Sequence, residues 1–153
     1  GVVIGRDRDG EPHVLFGRRS GDTRIYGGQW ENAPSGSLEP PRNETTIFAL
    51  PDLARALATE GVEELGIDLA DADLRARALL DDPTAQSLDI VIEATLRRVI
   101  APRGNACTPD DNRRWEPLDT AWVRIDDIRV WARGPGPVLS PPTAALMQWL
   151  GWL

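Results

Sequence analysis

An α+β or α/β domain, with a mixed β-sheet sandwiched between α-helices, is the fold that this sequence predicts. Three observations lead there. Strand-like segments stand on both sides of one helical segment, residues 52–65. A second helical segment, residues 143–152, closes the chain. No internal repeat or linker interrupts the order, so residues 1–153 read as one domain, and 41% hydrophobic content is enough for a single core.

Residues 1–5 and 13–18 read as strands around the turn Arg6-Asp7-Arg8-Asp9-Gly10, with Gly10 as the hairpin residue. Gly27-Gly28-Gln29-Trp30-Glu31 is a loop that leads into a short strand. Residues 34–50 form a loop rich in Pro, Ser and Gly. The helix after it has readable ends, with Asp52 as N-cap behind Pro51 and Gly66 as the C′ residue. Residues 74–80 are dominated by Ala and Arg and fit a strand or a short helix. Leu88-Asp89-Ile90-Val91-Ile92-Glu93-Ala94-Thr95-Leu96 is the clearest strand, continued by Val99-Ile100. Residues 102–114 are a polar loop, and Ala121-Trp122-Val123-Arg124-Ile125 is another strand, followed by Asp126-Asp127-Ile128. Ser140-Pro141-Pro142 is the start signal of the last helix.

Composition removes several kinds of chemistry. A net charge of −7 opposes binding to nucleic acid polymers, which relies on a basic surface. No apolar run reaches the roughly 20 residues that span a bilayer, and no signal-peptide pattern is present. All 17 basic residues are Arg, so lysine Schiff-base chemistry is excluded and Arg is the fixed cation for phosphate. One cysteine, Cys107, excludes an internal disulfide and fits a reducing cytoplasm. With His13 the single histidine, Ser-His-Asp and His-rich zinc chemistry are disfavoured, and His13 reads as structural. The chain opens at Gly1 directly in a strand-like run, which reads as a trimmed start.

Glu60, Glu63 and Glu64 carry the functional signal. At spacing i, i+3, i+4 a helix gathers them into an arc of roughly 100°. Exposed like charges four apart repel by about 0.2–0.5 kcal/mol per pair, and a divalent cation relieves that cost. Acidic helix faces are usually just solvated. Here Leu53, Ala56 and Leu57 lie on the same side as Glu60 and Glu64, so the acids continue a core face and point toward a cleft. All-oxygen ligands suit Mg²⁺ or Mn²⁺ rather than zinc.

These residues resemble the Nudix family. Ala58-Thr59-Glu60-Gly61-Val62-Glu63-Glu64-Leu65-Gly66-Ile67 is similar to the second half of the Nudix box, G-x5-E-x7-R-E-U-x-E-E-x-G-U, where U is a bulky aliphatic residue. Upstream, Trp30-Glu31-Asn32-Ala33-Pro34-Ser35-Gly36-Ser37-Leu38-Glu39 resembles its W-x-x-P-G-G-x-x-E lead-in. Trp115-Glu116-Pro117-Leu118-Asp119-Thr120-Ala121-Trp122-Val123, then Ile125-Asp126-Asp127-Ile128, is similar to E-x-x-E-x-x-W-V followed by L-D-E-L, and Ser140-Pro141-Pro142-Thr143 before a helix is also familiar there. The chain departs from the box at three points. Thr59 replaces an Arg that would pair with a catalytic Glu, and Gly61 replaces a bulky residue at about 1 kcal/mol of helix propensity relative to Ala. The stretch from Gly36 to Glu60 is about nine residues too long, which leaves the first box Glu open between Glu39 and Glu44.

The resemblance implies a Nudix-like sheet between helices. It also implies hydrolysis of a diphosphate bond in a nucleoside diphosphate-linked small molecule, with Mg²⁺ or Mn²⁺. It makes Glu60, Glu63 and Glu64 metal ligands, together with the Gly36 carbonyl, and one of Glu60 and Glu64 the base. A further acid from a distant loop is expected, with Glu116 the first candidate and Glu93 the second. The extra residues 42–50 beside the metal site are expected to shape substrate choice.

Arg18 and Arg19 follow a strand and can meet a phosphate, although exposed Arg is commoner. Trp30 or Trp115 can stack on a nucleobase, with core packing the better account of most of the six tryptophans. Trp149 and Trp152 offer a homodimer contact near the terminus. A non-catalytic Nudix-like ligand sensor, suggested by Thr59 and Gly61, stands as the alternative function, and an unrelated acidic interaction domain stands behind it.

Overall fold

The computed structural model describes residues 1–38, 50–102 and 119–153. Glu39, Glu44, Cys107, Trp115 and Glu116 lie outside the described residues, as do residues 42–49.

Six strands form one mixed sheet in the order β3-β2-β1-β5-β4, with β6 paired to β2. In chain order they are β1 (Val2–Arg6), β2 (Pro12–Arg18), β3 (Trp30–Asn32), β4 (Asp73–Asp82), β5 (Ser87–Val99) and β6 (Asp119–Arg124). Helix α1 (Leu50–Leu65) lies between β3 and β4, while α2 (Ile128–Ala132) and α3 (Pro141–Trp149) follow β6. β1 and β5 run parallel and the other pairs antiparallel.

Period-two alternation places the core on both faces of the sheet. Val3 and Leu15 point into a cluster with Leu57, Leu65, Ile92 and Leu96, on the α1 side. Val2, Val14 and Phe16 point the other way, against Ile128, Leu146 and Met147 of α2 and α3. Fully burying each such side chain contributes about 1.5–3 kcal/mol. The expected sandwich of a mixed sheet between helices is the architecture found.

One feature of the pairing opens a cleft. β6 runs along His13–Arg18 of β2, whereas β1 pairs with Pro12–Val14 and β3 with Phe16–Arg18. A strand has two edges, so β1 and β3 share one of them in tandem. The sheet parts between them, and residues 33–37 enter at that gap, where the Ala33 N–H still reaches the Leu15 carbonyl at 3.4 Å.

Several expectations need correction. Helix α1 begins at Leu50, so Asp52 is not its N-cap but a first-turn acid, paired with Arg55 at 2.7 Å. Of the two readings left open for residues 74–80, strand or short helix, the strand is found, in the outer ladder against β5. Strand β6 ends at Arg124, so the expected strand residue Ile125 instead opens a 3₁₀ turn, Ile125–Asp127, that leads into α2. The last helix starts at Pro141 and stops at Trp149, since Gly151 turns the chain at φ +78°. Trp152 then folds back with its N–H on the Met147 carbonyl and packs, partly buried, against the second core, while Trp149 is exposed. Gly10, at φ +84°, is the hairpin residue as expected. His13 is buried in β2 with Nδ1 3.0 Å from the Glu11 carbonyl, a structural position. Trp30 stands edge-on to Trp131 at 5.4 Å, which is core packing rather than a stacking platform.

Candidate functional site

The carboxyl-terminal turns of α1 deliver the acids to the gap. Leu57 and Leu65 anchor the apolar face of the helix in the core, and Glu60 and Glu64 continue that face toward the loop 33–37. The helix ends where it must: Gly66 adopts φ +63°, its N–H bonds the Val62 carbonyl at 3.1 Å, and the Ile67 N–H returns to the Gly61 carbonyl at 2.8 Å. Gly61 has its own reason to be small. A Cβ there would stand 3.0 Å from both the Ile67 carbonyl oxygen and Leu69 Cδ1, so Leu69 fills the space that a bulky residue would take.

Gly36 is packed directly against Glu60. A Cβ on Gly36 would overlap the Glu60 carboxyl carbon and Oε1, so a larger residue there would displace the Glu60 side chain from the loop. One residue earlier, the Ser35 N–H donates to Glu64 Oε2 at 2.9 Å. The loop and the helix end therefore hold each other through the two acids.

A third acid arrives from β3. Trp30 packs in the α3-side core and Asn32 bonds Thr143 of α3, so alternation turns Glu31 toward the α1 side. There Glu31 Oε2 accepts from Arg19 Nη1 at 2.6 Å. Two cavities, of about 400 and 360 Å³, meet at this point and share Glu31, Ser35, Gly36 and Asp89. Glu60 lines the first and Glu64 the second.

Crowded acids in a partly dry cleft resist ionisation. Burial, then Glu60 and Glu31, push the Glu64 carboxyl up to about 7, against the opposing Ser35 N–H and the Gly1 ammonium. Burial and then Glu63 raise Glu60, and burial raises Glu31 despite its Arg19 partner. In each case burial is the largest cause, and for Glu31 and Glu64 it outweighs the positive charge nearby.

Not every expected residue reaches the cleft. Glu63 is exposed and lines neither cavity. Glu93 lies on β5 and pairs with Arg77 at 3.1 Å, away from the gap. Thr59 is exposed and its hydroxyl donates to the Arg55 carbonyl at 3.0 Å, so it serves its own helix. Glu31 and Asp89 were not singled out from the sequence. Strand alternation from Trp30 is the signal that would have found Glu31, whereas Asp89 reaches the cleft through long-range pairing that no local pattern encodes.

The donor chemistry of Glu60, Glu64 and the Gly36 carbonyl, all oxygen, fits a hard divalent cation, and Gly36 provides the close approach that such a site needs. Among the described residues no group of three or more acid, His or Cys side chains is placed to hold a metal ion, so Glu60 and Glu64 do not form a preassembled cage.

No protein-family model matches the chain, and neither does any curated protein. Solved structures do match over nearly its whole length. A MutT protein from Methanosarcina mazei is 20% identical with a TM-score of 0.60, covering 98% of this chain and 89% of that one. A NUDIX hydrolase from Alicyclobacillus acidocaldarius is 16% identical with a TM-score of 0.64, covering 96% and 86%. The NUDIX domain of Shewanella oneidensis NrtR, solved with ADP-ribose, is 15% identical with a TM-score of 0.59, covering 98% and 82%. The chain has a Nudix-like fold. Among the described residues no helix is long and apolar enough to cross a membrane.

Proposed function

We propose that the chain is a metal-dependent hydrolase of a phosphoric anhydride, cleaving the diphosphate bond of a nucleoside diphosphate-linked small molecule with Mg²⁺ or Mn²⁺. The observation that carries this reading is the closure of Gly36 over Glu60, beside a Glu64 held by Ser35, at the mouth of two cavities. A cleft of carboxylates repels a diphosphate, so a bound divalent cation would have to offset that repulsion. Glu60 and Glu64, with the Gly36 carbonyl, would hold that cation, and Glu63 stands one position before Glu64 on the helix. When bound, the cation supplies Lewis acidity and lowers the pKa of a coordinated water.

The chain supplies orientation and proton transfer. The Ser35 N–H fixes the plane of the Glu64 carboxylate, and Gly36 fixes that of Glu60 by contact. One of these two carboxylates takes the proton of the attacking water. Glu116, the candidate distant acid, lies outside the described residues.

Thr59 favours a second reading. Its hydroxyl is committed to the Arg55 carbonyl, so position 59 gives Glu60 no ion pair. A carboxylate without that brace suits a ligand-sensing domain, since catalysis needs its groups held tightly. The NrtR domain bound to ADP-ribose makes that compound the first ligand to try under either reading.

The test is nucleotide or phosphate release from ADP-ribose, nucleoside triphosphates, sugar nucleotides and dinucleotide polyphosphates, with Mg²⁺ or Mn²⁺. Metal-dependent turnover that disappears in Glu64→Gln supports the hydrolase. Ligand binding with no turnover across the panel supports the sensor.

A further inference from the structure

Two segments far apart in the sequence meet along the second cavity, away from the first. One is the β2–β3 loop, which contributes Ser20, Thr23 and Tyr26; the other is the end of β4 and the turn after it, which contribute Asp82 and Ala85. None of these five lines the first cavity. The Tyr26 hydroxyl joins the two segments, donating to Asp82 with its oxygen 2.9 and 3.0 Å from the two carboxylate oxygens.

Both partners are fixed. Asp82 is buried and also accepts from the Thr84 N–H at 3.0 Å and the Ala85 N–H at 3.1 Å, so the turn folds around it. Tyr26 stands in the left-handed region at φ +58°, where a bulky residue is an outlier. Such a conformation persists only where its surroundings hold it, here the bond to Asp82 and the Gln29 N–H on the Tyr26 carbonyl at 3.1 Å.

The two cavities also differ in lining. Leu53, Leu57, Leu88 and Ile90 give the first an apolar side, which suits a flat base. Ser20 and Thr23 add hydroxyls to the second, beyond the serines where the cavities meet, and hydroxyls suit a sugar. At about 360 Å³ the second cavity is near the small end of ligand pockets, so it suits one compact group.

We infer that Tyr26, held on Asp82, is the end wall of the second cavity and a specificity-determining residue. It admits a bare sugar beyond the diphosphate and excludes a sugar that carries a further ring. The inference rests on the proposed function in placing a diphosphate at the acids, and it holds for a hydrolase or a sensor alike.

The test is calorimetric titration in Mg²⁺ with the methylene-bridged, non-hydrolysable analogues of ADP-ribose and of NAD⁺, which carries one more ring on the distal ribose. Wild type should prefer the ADP-ribose analogue by about tenfold or more, since a wall rejects the larger ligand by a clash. Tyr26→Gly and Tyr26→Asn remove the aromatic ring, and both residues accept φ +58°, so thermal unfolding should show two folded proteins. In both, the preference should shrink to within about threefold, through tighter binding of the NAD⁺ analogue. Tyr26→Phe keeps the ring and loses its bond to Asp82, so it should fall between. An unchanged preference in the folded short variants would overturn the inference and leave the proposed function standing. Wild type binding both analogues equally well would do the same. Wild type binding neither would also overturn it; metal-dependent turnover of another compound would then still uphold the proposed function, and no turnover or binding of any compound would remove both.

Discussion

Neutralising Glu64 should stabilise the metal-free protein. Burial, with Glu60 and Glu31 nearby, raises its carboxyl from 4.5 to about 7. Between those pH values the folded protein binds more protons than the unfolded chain, so stability falls as pH rises through that window. At 1.36 kcal/mol per pH unit the window is worth about 3 kcal/mol, and solvent screening at the open cleft lowers this to about 2 kcal/mol. Glu64→Gln keeps the acceptor for the Ser35 N–H and carries no charge. At pH 8 without metal it should melt about 4–8 °C above wild type, given 2–4 °C per kcal/mol for a chain of this size. Near pH 4 both side chains are neutral and the two proteins should melt together. Mg²⁺ at a hundredfold excess over its Kd should raise wild type by about 2.7 kcal/mol and the variant by less. Thermal denaturation across pH 4–8, with and without Mg²⁺, reads all of this. Equal melting temperatures at pH 8, or a difference that ignores pH, would refute the reasoning.

Other substitutions test the packing that builds the cleft. Gly36→Ala drives a Cβ into the Glu60 carboxylate and should lower Mn²⁺ affinity at least about tenfold, read by titration, with Glu60 displaced from the loop. Gly61→Leu restores a bulky residue but meets the Ile67 carbonyl and Leu69, so denaturant unfolding should show a loss of about 1–3 kcal/mol. Burial alone would raise the Asp82 carboxyl, but hydrogen bonds from the Ala85 N–H, the Tyr26 hydroxyl and the Thr84 N–H outweigh it and hold the group low. Its contribution is therefore present above the ordinary carboxylate range and lost as pH falls through its folded value. Tyr26→Phe should weaken that acid-side protection, seen as a higher midpoint pH in acid unfolding.

The sheet was legible because its strands alternate cleanly. Val2, Val3, Val14, Leu15 and Phe16 assign themselves to opposite cores, and the two-faced sandwich follows. Helix α1 was legible from Leu53, Leu57 and Gly66, whereas its start was not, since Asp52 satisfies a cap pattern two residues inside the true end. Residues 74–80 were ambiguous because Ala and Arg favour a helix, and pairing with β5 overrides that preference. In the site, Glu60 and Glu64 could be read from helical spacing and Gly36 from its motif. Glu63 shares their spacing but not their burial, since it is exposed and lines neither cavity. Arg19 could be read as a residue after a strand and Glu31 from alternation, whereas their pairing with each other depends on the β2–β3 register, which no local pattern encodes.

The most direct measurement is Mn²⁺ binding, by titration calorimetry or electron paramagnetic resonance, to wild type, Glu60→Gln, Glu64→Gln and the exposed-acid control Asp126→Asn. Loss of about tenfold or more in affinity in both Glu variants, with the control unchanged, is the predicted result. Mn²⁺ bound equally well by all four proteins would contradict a cation held at Glu60 and Glu64, and with it the account of this cleft.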